Sequence, residues 1–222
     1  MNQAVIFDMD GVLVASGPAH LASWKMAARK NGLDISDQRF RATFGRPSRD
    51  IIRLLWGEHV TAEEIQKIDD LKEQLYRDLV TGMVPLTIGT REALQGLHAA
   101  GFKLAVATSG PRENVELVLR EKNLGSLFGA VVTGHDVKNG KPAPDCFLLA
   151  AERLGVAPRD AVVIEDAPVG IEAALAAGMK CMALTGTHPA ETLQESRPQR
   201  VLERLAEITP ESVRTLLGQA RA

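Results

Sequence analysis

Apolar positions follow two rhythms along this chain. Ala4-Val5-Ile6-Phe7 is a short unbroken apolar run that stops at Asp8, the pattern of a strand buried on both faces. From Gly17 to Thr81 the apolar positions recur at helical spacing instead. Pro18 suits a first helical turn, and Leu21, Trp24 and Ala28 follow it. Ser48 is placed to cap a helix carrying Ile51, Ile52 and Leu55. Thr61 and Glu64 have the spacing of a capping box, ahead of a stripe of Ile65, Ile68, Leu75 and Leu79. No strand pattern interrupts this stretch.

Beyond Pro85 the two rhythms alternate. A helix around Thr90–Ala100 stops at Gly101, and Phe102–Ala107 reads as a strand. A helix opens at Pro111, runs to about Asn123 and ends at Gly125. Ala130–Thr133 is a strand, Ala143–Leu154 a helix closed by Gly155, and Ala161–Ile164 a strand. Pro168–Ala177 is helical, Gly178 stops it, and Lys180–Leu184 is another strand. Val201–Leu205 adds an edge strand, and Thr209-Pro210-Glu211 opens a last helix. Alternation of this kind predicts an α/β fold, a parallel sheet with helices on both faces. The helical stretch breaks the alternation just after the first strand. It therefore predicts an all-helical cap over residues 15–85, inserted into a core made of residues 1–14 and 86–222.

Length and charge narrow the function. A chain of 222 residues has room for such a core and one insert. A net charge of -2 with no basic run leaves no electrostatic footprint for nucleic acid. The apolar runs are too short to span a bilayer, and the N-terminus reaches Asp8 too soon for a signal peptide. A cytoplasmic address is expected, without a membrane partner. Cys146 and Cys181 each sit in an apolar run with no second ligand at metal spacing, so they read as small buried hydrophobes. Nothing in the pattern demands more than a monomer.

Ligands of open α/β sheets bind beyond the carboxyl ends of the strands. The predicted strands end in Asp8-Met9-Asp10-Gly11, in Thr108-Ser109-Gly110, ahead of Asn139-Gly140-Lys141-Pro142, and in Glu165-Asp166. Taken singly, the acids would be turn or helix caps, Thr108 and Ser109 an N-cap, and Lys141 a surface lysine. Together they put four carboxylates at one sheet edge, which is costly unless a cation lies among them. An all-oxygen set without His or Cys predicts Mg²⁺. Thr108, Ser109, Gly110, the helix opening at Pro111 and the ammonium of Lys141 predict a phosphate site.

These segments resemble the four motifs of the haloacid dehalogenase superfamily. The matching runs are Asp8-Met9-Asp10-Gly11-Val12, Ala107-Thr108-Ser109-Gly110, Gly140-Lys141-Pro142-Ala143-Pro144-Asp145, and Val163-Ile164-Glu165-Asp166-Ala167-Pro168-Val169-Gly170-Ile171 with Ala176-Ala177-Gly178 after it. The resemblance implies a Rossmann-like core and an enzyme acting on a small phosphorylated metabolite. It implies that Asp8 is the nucleophile, that Asp10 is the acid and then the base, and that Thr108 and Lys141 hold phosphoryl oxygens. It implies Mg²⁺ on the carboxylates of Asp8 and Asp166 and the backbone carbonyl of Asp10, with Glu165 binding or orienting the ion. Since Asp10 must hold its proton at some stage, its pKa is expected to be poised by the site.

The cap resembles the helical type of β-phosphoglucomutase and of small sugar- or glycerol-phosphate phosphatases. His20, Trp24, Lys25 and Arg49, within Ser48-Arg49-Asp50, resemble cap positions of the mutase, and Gly45-Arg46-Pro47 reads as a turn aiming Arg49 at the cleft. Where many relatives carry an acid after the first motif, this chain has Ala15-Ser16-Gly17. The second and fourth motifs are closer to the phosphatases. A phosphatase is therefore the first expectation and a sugar phosphomutase the second. Trp24 reads first as core packing, and Lys25 equally as a solvated residue. A receiver-type switch, which also gathers acids, a hydroxyl and a lysine around Mg²⁺, would need neither Asp10 nor a lid.

Overall fold

The computed structural model describes residues 2–41, 43 and 46–218, so Gly45 of the expected turn lies outside the described residues. Among the described residues six strands form one parallel sheet: β1 (Ala4–Phe7), β2 (Lys103–Ala107), β3 (Ala130–Val132), β4 (Ala161–Glu165), β5 (Lys180–Leu184) and β6 (Arg200–Leu202). Their order is β3-β2-β1-β4-β5-β6, which puts β1 in the centre and Arg200–Leu202 at an edge. Successive strand residues alternate between two apolar layers. Val5, Phe7, Leu104, Val106 and Ile164 point into one, and Ala4, Ile6, Ala105, Ala107 and Val163 into the other. Both cysteines are free and buried in the second layer.

Four helices lie between β1 and β2 in the insert: α1 (Gly17–Lys30), α2 (Asp37–Arg41), α3 (Ser48–Trp56) and α4 (Ala62–Val80). They pack on a third apolar cluster of their own, built from Trp24, Ala28, Ile35, Phe40, Ile51, Ile52, Leu55 and Ile68. The chain enters and leaves this insert at adjacent points. Val14 and Leu86 form an antiparallel bridge, and Ala15 N donates to Pro85 O at 2.8 Å. The remaining helices are α5 (Thr90–Ala99), α6 (Arg112–Lys122), α7 (Asp145–Leu154), α8 (Pro168–Ala176), α9 (Ala190–Glu195) and α10 (Pro210–Leu216).

Local signals worked where they carried a mechanism. The Thr61–Glu64 capping box is present, with Glu64 N donating to Thr61 Oγ1 at 3.2 Å. Ser48 differs from expectation. It is the first helical residue of α3, after Pro47, and makes no cap bond. The stop of α6 is Asn123 in the left-handed region at φ 54°, not Gly125, which begins a short 3-10 turn. Asparagine tolerates that conformation because its short polar side chain bonds locally. The stripe of α4 also departs from expectation. Its buried face runs Ile68, Lys72, Leu75, Tyr76 and Val80 with Glu73 beside it, while Leu79 is exposed.

Candidate active site

The sheet order brings together the ends of β1, β2 and β4. Asp8 continues the ladder, its N–H donating to Ile164 O at 3.0 Å, and Thr108 does the same with Val132 O at 3.0 Å. The turn after Asp8 is tight. Gly11 adopts φ 81° and donates to Val14 O at 2.8 Å. A Cβ at Gly11 would fall 1.8 Å from Asp166 Oδ2, so only glycine leaves room for that carboxylate. Gly170, in the first turn of α8, does the same for Glu165, whose Oε1 would lie 1.8 Å from an added Cβ.

Asp8, Lys141, Glu165 and Asp166 are all buried. Lys141 Nζ donates to Asp8 Oδ1 and to Glu165 Oε1, each at 2.6 Å, and to Ala107 O at 3.3 Å. Glu165 Oε2 accepts from the N–H groups of Asp166 at 2.8 Å and Ala167 at 3.0 Å. Both of its oxygens are therefore engaged, one by Lys141 and one by the start of α8. Asp166 Oδ2 is buried with no hydrogen-bond partner. Its backbone carbonyl accepts from His188 Nδ1 at 3.0 Å.

One ammonium thus bonds two of three buried carboxylates, and the acids respond. Burial raises the Asp8 carboxyl to about 7; Lys141 pulls against it, and the charges of Glu165 and Asp10 add to it. Burial, with the charges of Glu165 and Asp8, holds Asp166 well above the ordinary range. For Lys141, burial opposes the charged form, but Asp8 and Glu165 outweigh it and keep the ammonium protonated. Such a set is short of positive charge, and a divalent cation would supply it. Among the described residues no three His, Cys, Asp or Glu side chains stand together as a ready metal cage. Magnesium fits that limit, because it takes one or two carboxylates and completes its shell with water and substrate phosphate.

Thr108 is buried, and its Oγ1 accepts from Gly110 N at 3.1 Å, which leaves the hydroxyl proton free to be donated elsewhere. Thr108, Ser109 and Gly110 line a cavity of about 90 Å³ together with Asp8, Asp10, Lys141, Glu165 and Asp166. The helical insert supplies its other wall: His20, Trp24, Arg46, Ser48, Ile51, Lys72 and Glu73. A second cavity of about 220 Å³ adjoins it through Ser48, Glu73, Thr108, Ser109 and Lys141, and also touches Arg49 and Asp69.

Asp10 differs from the sequence expectation of a poised acid. Burial alone would raise it, but the charge and hydrogen bond of His20, with Ser16 and Lys72 assisting, bring it down to about 2. His20 Nε2 lies 3.0 Å from Asp10 Oδ1, and the ring stacks on Tyr76 with centroids 4.1 Å apart.

The structure sorts the remaining cap residues. His20 meets Asp10. Trp24 both packs in the cap cluster and lines the cavity. Lys25 is turned away and paired with Asp37. Arg49 is exposed beside Asp50, 3.6 Å away, and touches only the second cavity, whereas Arg46 lines the first. Sequence reasoning missed Lys72 and Glu73. Their signal was present in charges at positions where the apolar stripe of α4 should continue.

The comparisons with known proteins identify the family. A family model described as "Hydrolase: haloacid dehalogenase-like hydrolase" matches residues 3–178. The validoxylamine A 7'-phosphate phosphatase of Streptomyces hygroscopicus subsp. limoneus is 34% identical over 199 residues, covering 88% of this chain and 92% of that protein. The phosphorylated carbohydrates phosphatase of Thermotoga maritima is 35% identical over 182 residues, covering 80% and 82%. A haloacid dehalogenase hydrolase of family IA, variant 3, from Entamoeba histolytica superposes with a TM-score of 0.90 at 27% identity, covering 98% of this chain and 100% of that one.

Proposed function

The chain belongs to the haloacid dehalogenase-like hydrolases, and from that premise we propose that it hydrolyses phosphate monoesters of small sugars or polyols, with Asp8 as nucleophile. The observation that carries this reading is the convergence of Asp8, Lys141, Glu165 and Asp166 beside Thr108, with a single ammonium among three buried acids. Relatives named as phosphatases of validoxylamine A 7'-phosphate and of phosphorylated carbohydrates support the substrate class.

In this reading an oxygen of Asp8 attacks phosphorus as the ester P–O bond breaks. The leaving alkoxide takes a proton from the Asp10–His20 pair. Asp10 then removes a proton from water, which attacks the aspartyl phosphate and releases inorganic phosphate and free Asp8. Lys141 fixes Asp8 and faces the phosphoryl oxygens, and the Thr108 hydroxyl donates to one of them. The carboxylates of Asp8 and Asp166 and the backbone carbonyl of Asp10 would hold Mg²⁺, whose charge would neutralise the phosphoryl group being transferred. Glu165, with both oxygens engaged, orients Lys141 and the start of α8 instead of binding the ion.

We take residues 15–85 as the cap and residues 1–14 and 86–222 as the core, because the chain crosses between them at the bonded pair Ala15 and Pro85. Action in the cytoplasm as a monomer belongs to the same reading. Free Cys146 and Cys181 suit a reducing compartment, and among the described residues no helix is long and apolar enough to cross a membrane.

A mutase would need a second anion site for its bisphosphate. The cavity next to the reaction centre is lined by Arg49, which is exposed and 3.6 Å from Asp50, by Lys138 and Lys141, and by the carboxylates of Asp69 and Glu73. That mixed lining does not select a second phosphate, and the phosphatase names of the relatives favour hydrolysis.

A panel of phosphate esters with Mg²⁺, including β-glucose 1-phosphate, tests the proposal by parallel measurement of free phosphate and glucose 6-phosphate. Phosphate release from sugar or polyol esters is expected, and it should vanish in Asp8→Asn while the circular dichroism spectrum is kept. Isomer without phosphate would replace this reading with the mutase, and full activity in Asp8→Asn would remove the nucleophile.

A further inference from the structure

One buried polar chain is not used by the steps above. On the far side of the His20 ring, Nδ1 lies 3.0 Å from Lys72 Nζ. Lys72 donates to Glu73 Oε1 at 2.6 Å, and Glu73 Oε2 accepts from Asn114 Nδ2 at 2.7 Å. Asn114 Oδ1 in turn accepts from Arg77 Nη1 at 3.1 Å. Lys72, Glu73 and Asn114 are all buried. Lys72 and Glu73 belong to cap helix α4, whereas Asn114 belongs to α6, the helix that follows Thr108-Ser109-Gly110.

Such an arrangement is expensive to build. Adjacent helical residues do not normally face each other, yet Lys72 and Glu73 pair at 2.6 Å. A buried ion pair is seldom better for stability than apolar side chains of similar volume, and it persists only when its remaining hydrogen-bonding capacity is met. Asn114 meets it, giving one bond to Glu73 and taking one from Arg77. What the chain does accomplish is continuity: Asn114 holds Glu73, Glu73 holds Lys72, Lys72 faces His20, and His20 faces Asp10.

We propose that Asn114 is a positioning residue, one that aligns the Asp10–His20 pair only while cap helix α4 is docked on α6. Thr108-Ser109-Gly110 precedes α6, whereas His20 belongs to α1 of the insert, and this chain ties one to the other. Without Asn114 the Glu73 carboxylate loses its core partner, Lys72 follows it, and the His20 ring loses the contact at Nδ1. Proton delivery to the leaving group then suffers, while attack by Asp8 does not. The inference rests on the reading of Asp10 as acid in the proposed hydrolysis.

The test compares kcat/KM, which reports events through departure of the leaving group, for two esters in Mg²⁺. p-Nitrophenyl phosphate leaves as a stable phenolate and needs little protonation, whereas a hexitol phosphate leaves as an alkoxide and needs it fully. For Asn114→Ala and Glu73→Gln, kcat/KM for the hexitol ester should fall about tenfold or more, as when a partner orienting a functional group is lost, and that for p-nitrophenyl phosphate at most about threefold. Thermal melts establish that the variants fold. Should Asn114→Ala fail to fold, Asn114→Ser, too short to reach Glu73, carries the same expectation. An equal loss on both esters, or no loss on either, overturns the inference while leaving the hydrolase reading in place. A wild-type protein that turns over neither ester overturns both.

Discussion

Lys141 Nζ and Asp8 Oδ1 are 2.6 Å apart although 133 residues separate them in the chain. The same ammonium reaches Glu165, so it is the partner of two carboxylates that have left water. Removing it without removing them should be far costlier than losing a surface ion pair, for which contributions are typically below about 1 kcal/mol. Lys141→Met is expected to destabilise the metal-free protein by roughly 3 kcal/mol, the low end for a broken buried pair because Asp8 can take up a proton. Urea denaturation measures this, and Mg²⁺ should restore part of the loss. A change within about 0.5 kcal/mol would show that the pair is not a structural tie.

Asp8 and Asp166 give a pH dependence of unusual sign. Both carboxyls are raised in the folded protein, Asp8 to about 7. Between the unfolded value near about 4 and the folded one, the folded state binds more protons. The metal-free protein should therefore lose stability as pH rises through that window, where most proteins hold or gain it. Asp166→Asn should flatten the slope and raise the unfolding midpoint without metal, yet weaken Mg²⁺ about tenfold or more in calorimetric titration. A variant binding Mg²⁺ as the wild type does would take Asp166 out of the ion site.

Gly170 offers a contradiction between local and tertiary preference. In a helix, Gly→Ala usually gains about 0.5–1 kcal/mol. Here the added methyl would overlap the Glu165 carboxylate, 1.8 Å from its Oε1. Gly170→Ala is expected to destabilise by about 1–3 kcal/mol, as overpacking does, and to lower kcat through displacement of Lys141. A gain in melting temperature with full activity would contradict the packing seen here.

Asp136 behaves in the opposite way to Asp166. Burial works against its charge, but the hydroxyl and N–H of Thr133 and the guanidinium of Arg153 hold it below the ordinary carboxylate range. Its Oδ2 accepts from Thr133 N at 2.8 Å and Thr133 Oγ1 at 2.6 Å. A depressed folded value adds stability that is complete above about pH 4 and disappears as pH falls toward it. Asp136→Ala should cost about 1–2 kcal/mol at pH 7, after allowance for the half-exposed arginines, and progressively less in more acidic solution. Equal losses at pH 7 and pH 3 would count against the charge as the cause.

Much of this molecule could be read from its letters because the signals were short-range and redundant. Apolar runs ending in Asp8, Thr108 and Glu165 announced strands whose tips carry chemistry, and the parallel sheet followed from their alternation with helices. Glu165 was ambiguous, since only coordinates show that its two oxygens are already occupied. Lys25 and Arg49 stand out in the chain by resemblance to cap positions of the mutase, whereas helix rotation decides which side chain enters a cleft. That rotation turned Lys25 toward Asp37 and brought Lys72 inward in its place. The six-residue helix α9 went unnoticed because so short a segment carries less than two turns of periodicity.

Val14 and Leu86 are bridged, so the excursion that begins after the first strand leaves and returns through a single doorway. Cutting at those two points would take His20, Trp24, Lys72 and Glu73 out of the cavity wall while leaving Asp8, Asp10, Thr108, Lys141, Glu165 and Asp166 in place. One contiguous stretch of gene could then be exchanged for another, re-addressing the same chemistry to a different molecule without asking the sheet to fold anew.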